Sequence, residues 1–282
     1  MTWSSREIEV RRCRPLLGTF VEIVTRGASP AAMQDAISAA FAAVQRIQDL
    51  MSAHEPDSEL SQLNRQAAQR AVTVSPETFT VLQRGLAFAG KSDGAFDFTV
   101  APLLARWGLL PETLRRQRRS GWRDVSLLAG RRVFFARPLA IDLGGIAKGF
   151  AVDLAVEVLR GHAVASGLVN AGGDLRVFGP HSQRVHLRHP GNGAALRKSV
   201  ELKDGALATS SPCFRRIRRH GKIFSHLVNA RTRRAIIVPR SVTVRAPECW
   251  LADALTKVVL VDPARASRVL TQYGADALLL AA

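Results

Sequence analysis

Apolar residues that recur every three or four positions predict several amphipathic helices. The clearest occupies 29–52, where Ser29 can cap the first turn and Pro30 suits the first helical position. Its apolar stripe is formed by Met33, Ile37, Phe41, Val44, Ile47 and Met51. Further helices are expected over about 75–90, within 92–108 after a loop, from the loop at 141–148 to about 159, over about 247–260 and over about 263–273.

Shorter runs rich in β-branched residues predict strands between these helices. They fall at 16–27, in a hairpin with a Gly-Arg turn at 125–136, at 166–179 around a glycine pair, and at 199–210 and 241–246. Hairpins mixed with helices favour an α+β fold over a regular parallel α/β fold. We therefore predict mixed, largely antiparallel sheets flanked by helices, in a single compact unit spanning 1–282, since no repeat or linker divides the chain.

The charge balance narrows the choice of partners. The chain has 282 residues, and its 40 Lys and Arg against 23 Asp and Glu give a net charge of +17. A basic surface attracts nucleic acid, phosphorylated ligands or anionic membranes, although arginine-rich codon usage would produce the same balance. The arginine runs lack interleaved aromatic residues and no nucleic-acid-binding module is recognisable, so no nucleic-acid partner is expected.

The apolar segments are too short for a membrane-spanning helix. No window reaches the roughly 18 uninterrupted apolar residues of a spanning helix. The first 20 residues lack the apolar core and cleavage site of a signal peptide. A cytoplasmic location without a membrane span is therefore expected.

The stretch IDLGGIAKGFAVD at 141–153 has the properties of an anion site. It matches neither a Walker A loop nor a dinucleotide-binding fingerprint. Gly144 and Gly145 nevertheless allow close backbone approach at a helix start, where the amides favour an anion, and Lys148 adds a full positive charge. Asp142 could accept hydrogen bonds from a ribose, an adenine amine or a flavin ring. The alternative is a tight strand-to-helix turn with a surface lysine.

Three further stretches carry weaker signals. Asn170 and Asp174 frame a glycine pair where a ligand or a second backbone segment must come close, although such pairs also make ordinary turns. Asp253, Thr256 and Lys257 share one face of a predicted helix, where oxygens could hold a hard cation or where Asp253 and Lys257 could form an exposed ion pair. His226 lies among apolar residues, which is typical of a structural histidine.

The order of these motifs carries more information than any one of them. Eight blocks occur in sequence: LGTF (17–20), MSAHEPDSELSQLN (51–64), DGAFDFTVAPLLARWG (93–108), IDLGGIAKGFAVD (141–153), LVNAGGDL (168–175), ATSS (208–211), SHLVNART (225–232) and SVTVRAPECWLADAL (241–255). Together they closely resemble the ApbE-type FAD:protein FMN transferase family over about residues 14–262. The resemblance implies an enzyme that binds FAD and Mg²⁺, transfers FMN to a serine or threonine hydroxyl of a flavoprotein with a Ser/Thr-Gly-Ala-Ser/Thr-like motif, and releases AMP.

The resemblance also implies roles for individual residues. His226 would handle a proton beside the scissile phosphate, and Lys148 would neutralise the diphosphate. The FAD-binding residues would be Leu17, His54, Ala95, Phe96, Asp97, Asp142, Lys148, Asn170, Asp174, Thr209 and Leu227. The metal would be held by Asp253 and the Gly145 carbonyl, with Thr256 or Lys257 at the remaining position.

Departures from the family pattern lie mainly in the last two blocks. The family's threonine four residues after the metal aspartate is replaced by Lys257, so either the Thr256 hydroxyl substitutes as a ligand or Lys257 takes over the electrostatic role of one cation. HLVNARTR carries Asn229, Ala230 and Arg233 where the family has Asp, Pro and Gly. An FAD pyrophosphatase and a non-catalytic FAD-binding protein therefore remain as alternatives.

Overall fold

The computed structural model describes residues 8–116, 121–214, 216–219 and 221–281. Within these ranges the helices are α1 (Pro30–Met51), α2 (Glu59–Gln66), α3 (Pro76–Lys91), α4 (Ala101–Trp107), α5 (Ala147–Gly161), α6 (Cys249–Val261) and α7 (Pro263–Gln272). The strands are β1 (Ile8–Leu16), β2 (Thr19–Gly27), β3 (Val72–Thr73), β4 (Val125–Leu128), β5 (Arg132–Phe135), β6 (Ser166–Ala171), β7 (Asp174–Phe178), β8 (Gln183–His189), β9 (Asn192–Leu202), β10 (Gly205–Ser210), β11 (Arg216–Arg219), β12 (Lys222–Ser225), β13 (Val228–Asn229), β14 (Arg234–Ala235), β15 (Arg240–Ala246) and β16 (Asp276–Ala281).

The central element is a seven-stranded sheet in the order β1-β2-β6-β7-β10-β15-β16. Every neighbouring pair in it is antiparallel. Helix α5 packs against both α1 and α6, all three helices pack against this sheet, and the largest hydrophobic cluster lies between the helices and the sheet. A smaller apolar cluster, which includes Leu175, Leu207 and Leu202, joins β7 and β10 to the β8–β9 hairpin. The predicted α+β fold with antiparallel sheets is confirmed.

The helices with the strongest periodicity form where the sequence predicts them. Ser29 caps α1 by accepting a hydrogen bond from the Ala32 amide, and Ser75 caps α3 through the Thr78 amide. All six residues of the predicted α1 stripe are buried. Within the described residues, no helix is both long and apolar enough to cross a bilayer.

The prediction of a single strand over 16–27 is wrong. The chain turns at Leu17 and Gly18, so that β1 ends at Leu16 and β2 begins at Thr19. Both turn residues have positive φ, 57° and 68°, which matches the twist of a two-residue hairpin. Most of β1 is exposed at the edge of the sheet, so its sequence shows no alternation that would reveal it. The sequence pattern also does not predict the short helix α2 or the strands β3, β8, β11–β14 and β16.

Helices α5 and α6 meet at an unusually close contact. A Cβ atom at Gly149 would lie 2.4 Å from the carbonyl oxygen of Cys249. One turn further along α5, the Asp153 carboxylate accepts hydrogen bonds from the amides of Cys249 (2.9 Å) and Trp250 (2.8 Å). These amides begin α6 and have no partner within the helix, so Asp153 caps α6 and fixes it against α5.

Candidate functional site

A cavity of about 780 Å³ opens beside the start of α5, and this volume is in the range of small-molecule and cofactor pockets. Its wall combines the β1–β2 turn, the end of α1, the loop before α4, the loop before α5 and the segment around β13. All but three of the residues predicted from the sequence line it. These lining residues are Leu17, His54, Ala95, Phe96, Asp97, Asp142, Gly145, Lys148, Asp174, Thr209, His226, Leu227 and Lys257.

The loop before α5 is held by hydrogen bonds to its backbone. The Asn64 side chain donates to the carbonyl of Ile141 (3.0 Å) and accepts from its amide (2.8 Å), as a neighbouring strand would. The Asp142 amide donates to the Phe98 carbonyl at 2.8 Å. The Asp142 carboxylate then accepts from the Gly144 amide at 3.2 Å, so it is fixed at the cavity wall just ahead of the helix.

The protonation of Asp142 reflects its position at this wall. Burial raises the pKa of its carboxyl, and the Gly144 amide and the nearby His54, Lys148 and Lys257 oppose that effect. The net result is a raised pKa for Asp142. Asp142 is therefore held less strongly ionised than an exposed aspartate, and an incoming hydrogen-bond donor would stabilise its charged form.

Four charged side chains meet at the floor of the cavity. Lys148 forms a short ion pair with Asp174, and its Nζ lies 3.6 Å from Asp253 Oδ2. Lys257 forms a short ion pair with Asp253 Oδ1 and also donates to the Asp253 backbone carbonyl at 3.0 Å. The residues come from α5, β7 and α6, so the packing of these three elements assembles the cluster. We call it the Lys–Asp cluster.

Burial and ion pairing act in opposite directions on the pKa values of Lys148 and Asp253 in the Lys–Asp cluster. Burial alone would lower the pKa of Lys148, but Asp174 and Asp253 outweigh burial and hold it above its ordinary value. Burial would raise the pKa of Asp253, but Lys148 and Lys257 hold it below its usual range. For Asp174, burial and repulsion from Asp253 prevail, and its pKa is raised. The Lys148 ammonium is therefore held as a positive charge at the cavity floor by its two carboxylate partners.

Phe96 and Asp97 form a neighbouring part of the wall. The Phe96 amide donates to Ser92 Oγ at 3.1 Å, and its ring meets Phe88 edge-on at 5.4 Å between centroids. Asp97 Oδ1 accepts from the amide and the hydroxyl of Thr99, at 2.8 and 2.7 Å. Burial raises the pKa of Asp97 against these two hydrogen bonds. The wall is thus apolar at the ring and polar at the carboxylate.

The segment around His226 and Leu227 closes another side of the cavity. Ser225, which is fully buried, donates to the Ile236 carbonyl at 2.6 Å and accepts from the Leu227 amide at 3.1 Å. These bonds fix the turn that presents the half-buried His226 ring to the cavity. Thr209, on β10, also lines the cavity, and its hydroxyl is paired with Thr243 at 2.9 Å.

Three predicted residues are placed behind the wall instead of on it. The Asn170 side chain accepts from the Gly173 amide at 2.9 Å and thereby shapes the β6–β7 turn. Asp253 is fully buried beneath its lysine partners. The Thr256 hydroxyl is fully buried too, where it donates to the Asp253 carbonyl and pairs with Ser210, both at 2.7 Å. The suggested substitution of the Thr256 hydroxyl for a family metal ligand is therefore not favoured by its position.

Sequence reasoning missed several residues of the wall. Gln48 borders the apolar stripe of α1, one turn after Val44, and its side chain accepts a hydrogen bond from the Leu17 amide at 2.6 Å, which anchors the β1–β2 turn. A polar residue at the border of a stripe is common, so the pattern gives only a weak signal for it. Ser210, Ser211 and the half-exposed Phe214 also line the cavity, and the sequence carries no periodic signal for these three.

The donor set does not fit Mg²⁺ at Asp253. Magnesium requires near-octahedral oxygen ligands at about 2.0–2.1 Å. One Asp253 oxygen is already bound by the Lys257 ammonium, and the other faces Lys148, so a divalent ion there would be repelled by two adjacent cations. Among the described residues, no three or more His, Cys, Asp or Glu side chains form a group suited to a metal.

The fold and the cavity define an α+β protein with a partly apolar site, at the floor of which two lysine ammonium groups are ion-paired with carboxylates. The chain belongs to the ApbE family, whose model matches residues 17–279. Among its relatives, the FAD:protein FMN transferase of Treponema pallidum is 30% identical, over 98% of this chain and 85% of that protein. The FAD:protein FMN transferase of Vibrio cholerae is 29% identical, over 77% of this chain and 70% of that protein.

Solved structures agree with this assignment. The ApbE protein of Thermotoga maritima is 29% identical and superimposes with a TM-score of 0.84, over 97% of this chain and 94% of that one. The flavin transferase ApbE of Vibrio cholerae is 26% identical, with a TM-score of 0.79 over 98% of this chain and 94% of that one.

Proposed function

We propose that this protein transfers FMN from FAD to a hydroxyl group of an acceptor flavoprotein and releases AMP. The observation that carries the proposal is the position of Lys148 and Lys257 at the floor of a large cavity, beside Gly144 and Gly145 at the start of α5. Family membership and the names of the relatives support the same reaction.

The proposed arrangement places the FAD diphosphate at the Lys–Asp cluster. Two ammonium groups and the amides at a helix start together favour a doubly charged ligand. The rings of FAD would pack against apolar wall residues such as Phe96 and Leu227, and Asp97 and Asp142 would accept hydrogen bonds from them. Apolar walls with a few fixed polar groups are the usual means of orienting a cofactor.

In the proposed reaction the acceptor hydroxyl oxygen attacks the phosphorus of the FMN moiety. A new phosphoester bond forms, the phosphoanhydride bond to AMP breaks, and AMP leaves with the electron pair. The hydroxyl proton must be removed, and His226 is proposed to take it because its ring faces the cavity. Lys148 would stabilise the charge that develops on the phosphate oxygens.

Other parts of the proposal rest on the sequence. The acceptor is expected to carry the Ser/Thr-Gly-Ala-Ser/Thr-like motif, and the chain is expected to act as a single catalytic unit over 1–282. The continuous hydrophobic cluster from Val10 to Val269 supports a single unit. The Mg²⁺ that the resemblance implies has no place in the steps above, because the Asp253 site does not fit it. A cytoplasmic location stays a prediction that cell fractionation would test.

The test is incubation with FAD and a protein that carries the acceptor motif, followed by in-gel flavin fluorescence and mass spectrometry. We expect the acceptor to gain the mass of one FMN and AMP to appear in equal amount. His226→Asn should slow transfer by about 10²–10⁴-fold, the usual contribution of a general base, with FAD affinity little changed. The absence of labelling under all conditions would refute the proposal. AMP release without labelling would indicate a pyrophosphatase, and tight FAD binding without AMP would indicate a binding protein.

A further inference from the structure

The Lys257 side chain is placed to contact a ligand in the cavity. It lines the cavity wall, and its aliphatic part lies against Gly145, where a Cβ atom would be 3.5 Å from Lys257 Cε. Its ammonium donates to the Asp253 carboxylate and to the Asp253 backbone carbonyl. An ammonium has three N–H donors, so these two bonds leave one for a ligand oxygen.

The groups around the ammonium are oxygens that would otherwise suit a metal ion. A carboxylate and a backbone carbonyl of the same residue point at Lys257 Nζ, and hard divalent cations take the same types of ligand. The nearby Thr256 hydroxyl is directed at Ser210 and is fully buried, so it does not complete a metal site on the cavity side. Of the three side chains Asp253, Thr256 and Lys257, only that of Lys257 lines the cavity.

The charges of the Lys–Asp cluster already balance. Two carboxylates and two ammonium groups sum to zero, and the side chain of Asp253 is only 1% exposed. Replacing Lys257 with a neutral residue would leave the buried pair of carboxylates with Lys148 alone, a net charge of −1. An uncompensated buried charge is costly, so the altered site should recruit a cation.

We propose that the Lys257 ammonium occupies the position of a divalent cation at Asp253 and supplies, as a fixed part of the chain, positive charge to the diphosphate of the flavin nucleotide. The inference deepens the proposed function and rests on it for the identity of the ligand. It predicts that FAD binding does not depend on a divalent ion at this position and that Lys257→Thr converts the position to a metal site.

The experiment compares the unaltered protein with Lys257→Thr, Lys257→Arg and Lys203→Thr. Lys203 is exposed in the β9–β10 turn and does not line the cavity, so its replacement removes the same charge elsewhere. Mn²⁺ binding is measured from the electron paramagnetic resonance signal of the free ion, with and without FAD. FAD affinity is measured by flavin fluorescence with excess EDTA and with excess Mg²⁺, and thermal unfolding establishes that each variant is folded.

We expect Lys257→Thr alone to bind Mn²⁺ and to bind FAD about tenfold more tightly with Mg²⁺ than with EDTA, a difference of about 1.4 kcal/mol. The unaltered protein, Lys257→Arg and Lys203→Thr should differ by less than about twofold between the two conditions. Mn²⁺ bound to the unaltered protein and lost in Asp253→Asn would overturn the inference. A folded Lys257→Thr that binds no more Mn²⁺ than the unaltered protein would also overturn it.

The Mn²⁺-binding and FAD-affinity measurements together distinguish a failure of this inference from a failure of the proposed function. If no variant binds FAD, the proposed function fails, whereas the Mn²⁺ titration without flavin still reports whether Lys257 holds the cation position. If FAD binds and is cleaved but only with a metal in the unaltered protein, the proposed function stands and the assignment of Lys257 fails.

Discussion

A single methyl group added at Gly149 should disturb both the fold and the site. In Gly149→Ala the new Cβ would lie 2.4 Å from the Cys249 carbonyl oxygen and 2.6 Å from Trp250 Cα. Ordinary van der Waals contacts of a Cβ are 3.4–4 Å. Both neighbours are backbone atoms of α6 and cannot rotate aside, so α5 and α6 must separate by about 1 Å, in a core that packs as densely as an organic crystal.

The expected loss of folding stability in Gly149→Ala is the sum of three contributions. Overpacking of a well-packed core costs about 1–3 kcal/mol. Separation of the helices also stretches the hydrogen bonds of Asp153 to the first amides of α6, a cap worth about 0.5–2 kcal/mol. The higher helix propensity of alanine returns about 1 kcal/mol. The net destabilisation is about 2 kcal/mol, which corresponds to a Tm lower by about 3–4 °C in a chain of this size.

The assay is thermal unfolding followed by circular dichroism, with FAD affinity measured below the transition. Gly161→Ala is the matched control, because Gly161 ends the same helix and a Cβ there would have no atom within 4 Å. The control should melt within about 1–2 °C of the unaltered protein. FAD affinity should fall in Gly149→Ala only, since the displaced helices carry Lys148 and Lys257. Equal melting temperatures for the two variants would refute the close-contact reasoning.

Three further predictions concern charged residues. Lys148→Ala leaves two buried carboxylates with one cation, so it should destabilise the fold by about 3–5 kcal/mol, as measured by calorimetry. It should also weaken FAD binding at least about tenfold, as measured by fluorescence titration. Asp153→Ala should lower the free energy of unfolding by about 2–4 kcal/mol in denaturant titrations, because it removes the α6 cap and the 2.8 Å partner of Arg176. The Arg46 hydrogen bond holds the pKa of Glu77 below its ordinary 4.5, so the stability lost in Glu77→Gln should be constant above that value and disappear as the pH falls through the lowered pKa, measured by urea titrations across pH.

Each of these predictions has a distinct control. Lys148→Ala combined with Asp174→Asn should recover part of the lost stability by removing one carboxylate, and no recovery would contradict the charge-balance argument. Asp276→Ala, which removes an exposed ion pair with Arg245, should change stability by less than about 1 kcal/mol, unlike Asp153→Ala. A stability difference for Glu77→Gln that grows as the pH falls would contradict the direction worked out for Glu77.

The parts of the fold that could be predicted from the sequence are those determined by residues that lie close together in the chain. Helix α1 has a serine cap, a proline at its first position and a six-residue apolar stripe, so its bounds follow from the sequence. Strand β1 and the turn at Leu17 have no comparable signal in the neighbouring sequence. Their positions depend on pairing with β2 and on the Gln48 side chain, 31 residues away in the sequence. Long-range partners of this kind leave no periodic signal.

In the candidate site, too, some features could be predicted from the sequence and others depend on long-range packing. The residue types of the Lys–Asp cluster could be read from their motifs, but not which carboxylate each lysine meets. Lys148 is 26 residues from Asp174 in sequence, and its ion pair with Asp174 depends on the packing of α5 against β7. The helical spacing of Asp253, Thr256 and Lys257 suggested one shared face. The packing of α6 against β10 instead directs the Thr256 hydroxyl to Ser210 and leaves only Lys257 at the cavity wall.

The role of Asp153 shows why a binding motif cannot be divided cleanly from the fold around it. Asp153 closes the same thirteen-residue stretch that contains Gly145 and Lys148, yet its carboxylate binds the start of α6, which carries Asp253 and Lys257. One end of the stretch therefore lines the cavity, and the other positions the helix that supplies the second ammonium. Substitutions at Lys148 and at Asp153 should both weaken FAD binding, and thermal unfolding measured beside affinity distinguishes a change at the cavity wall from the loss of the contact with α6.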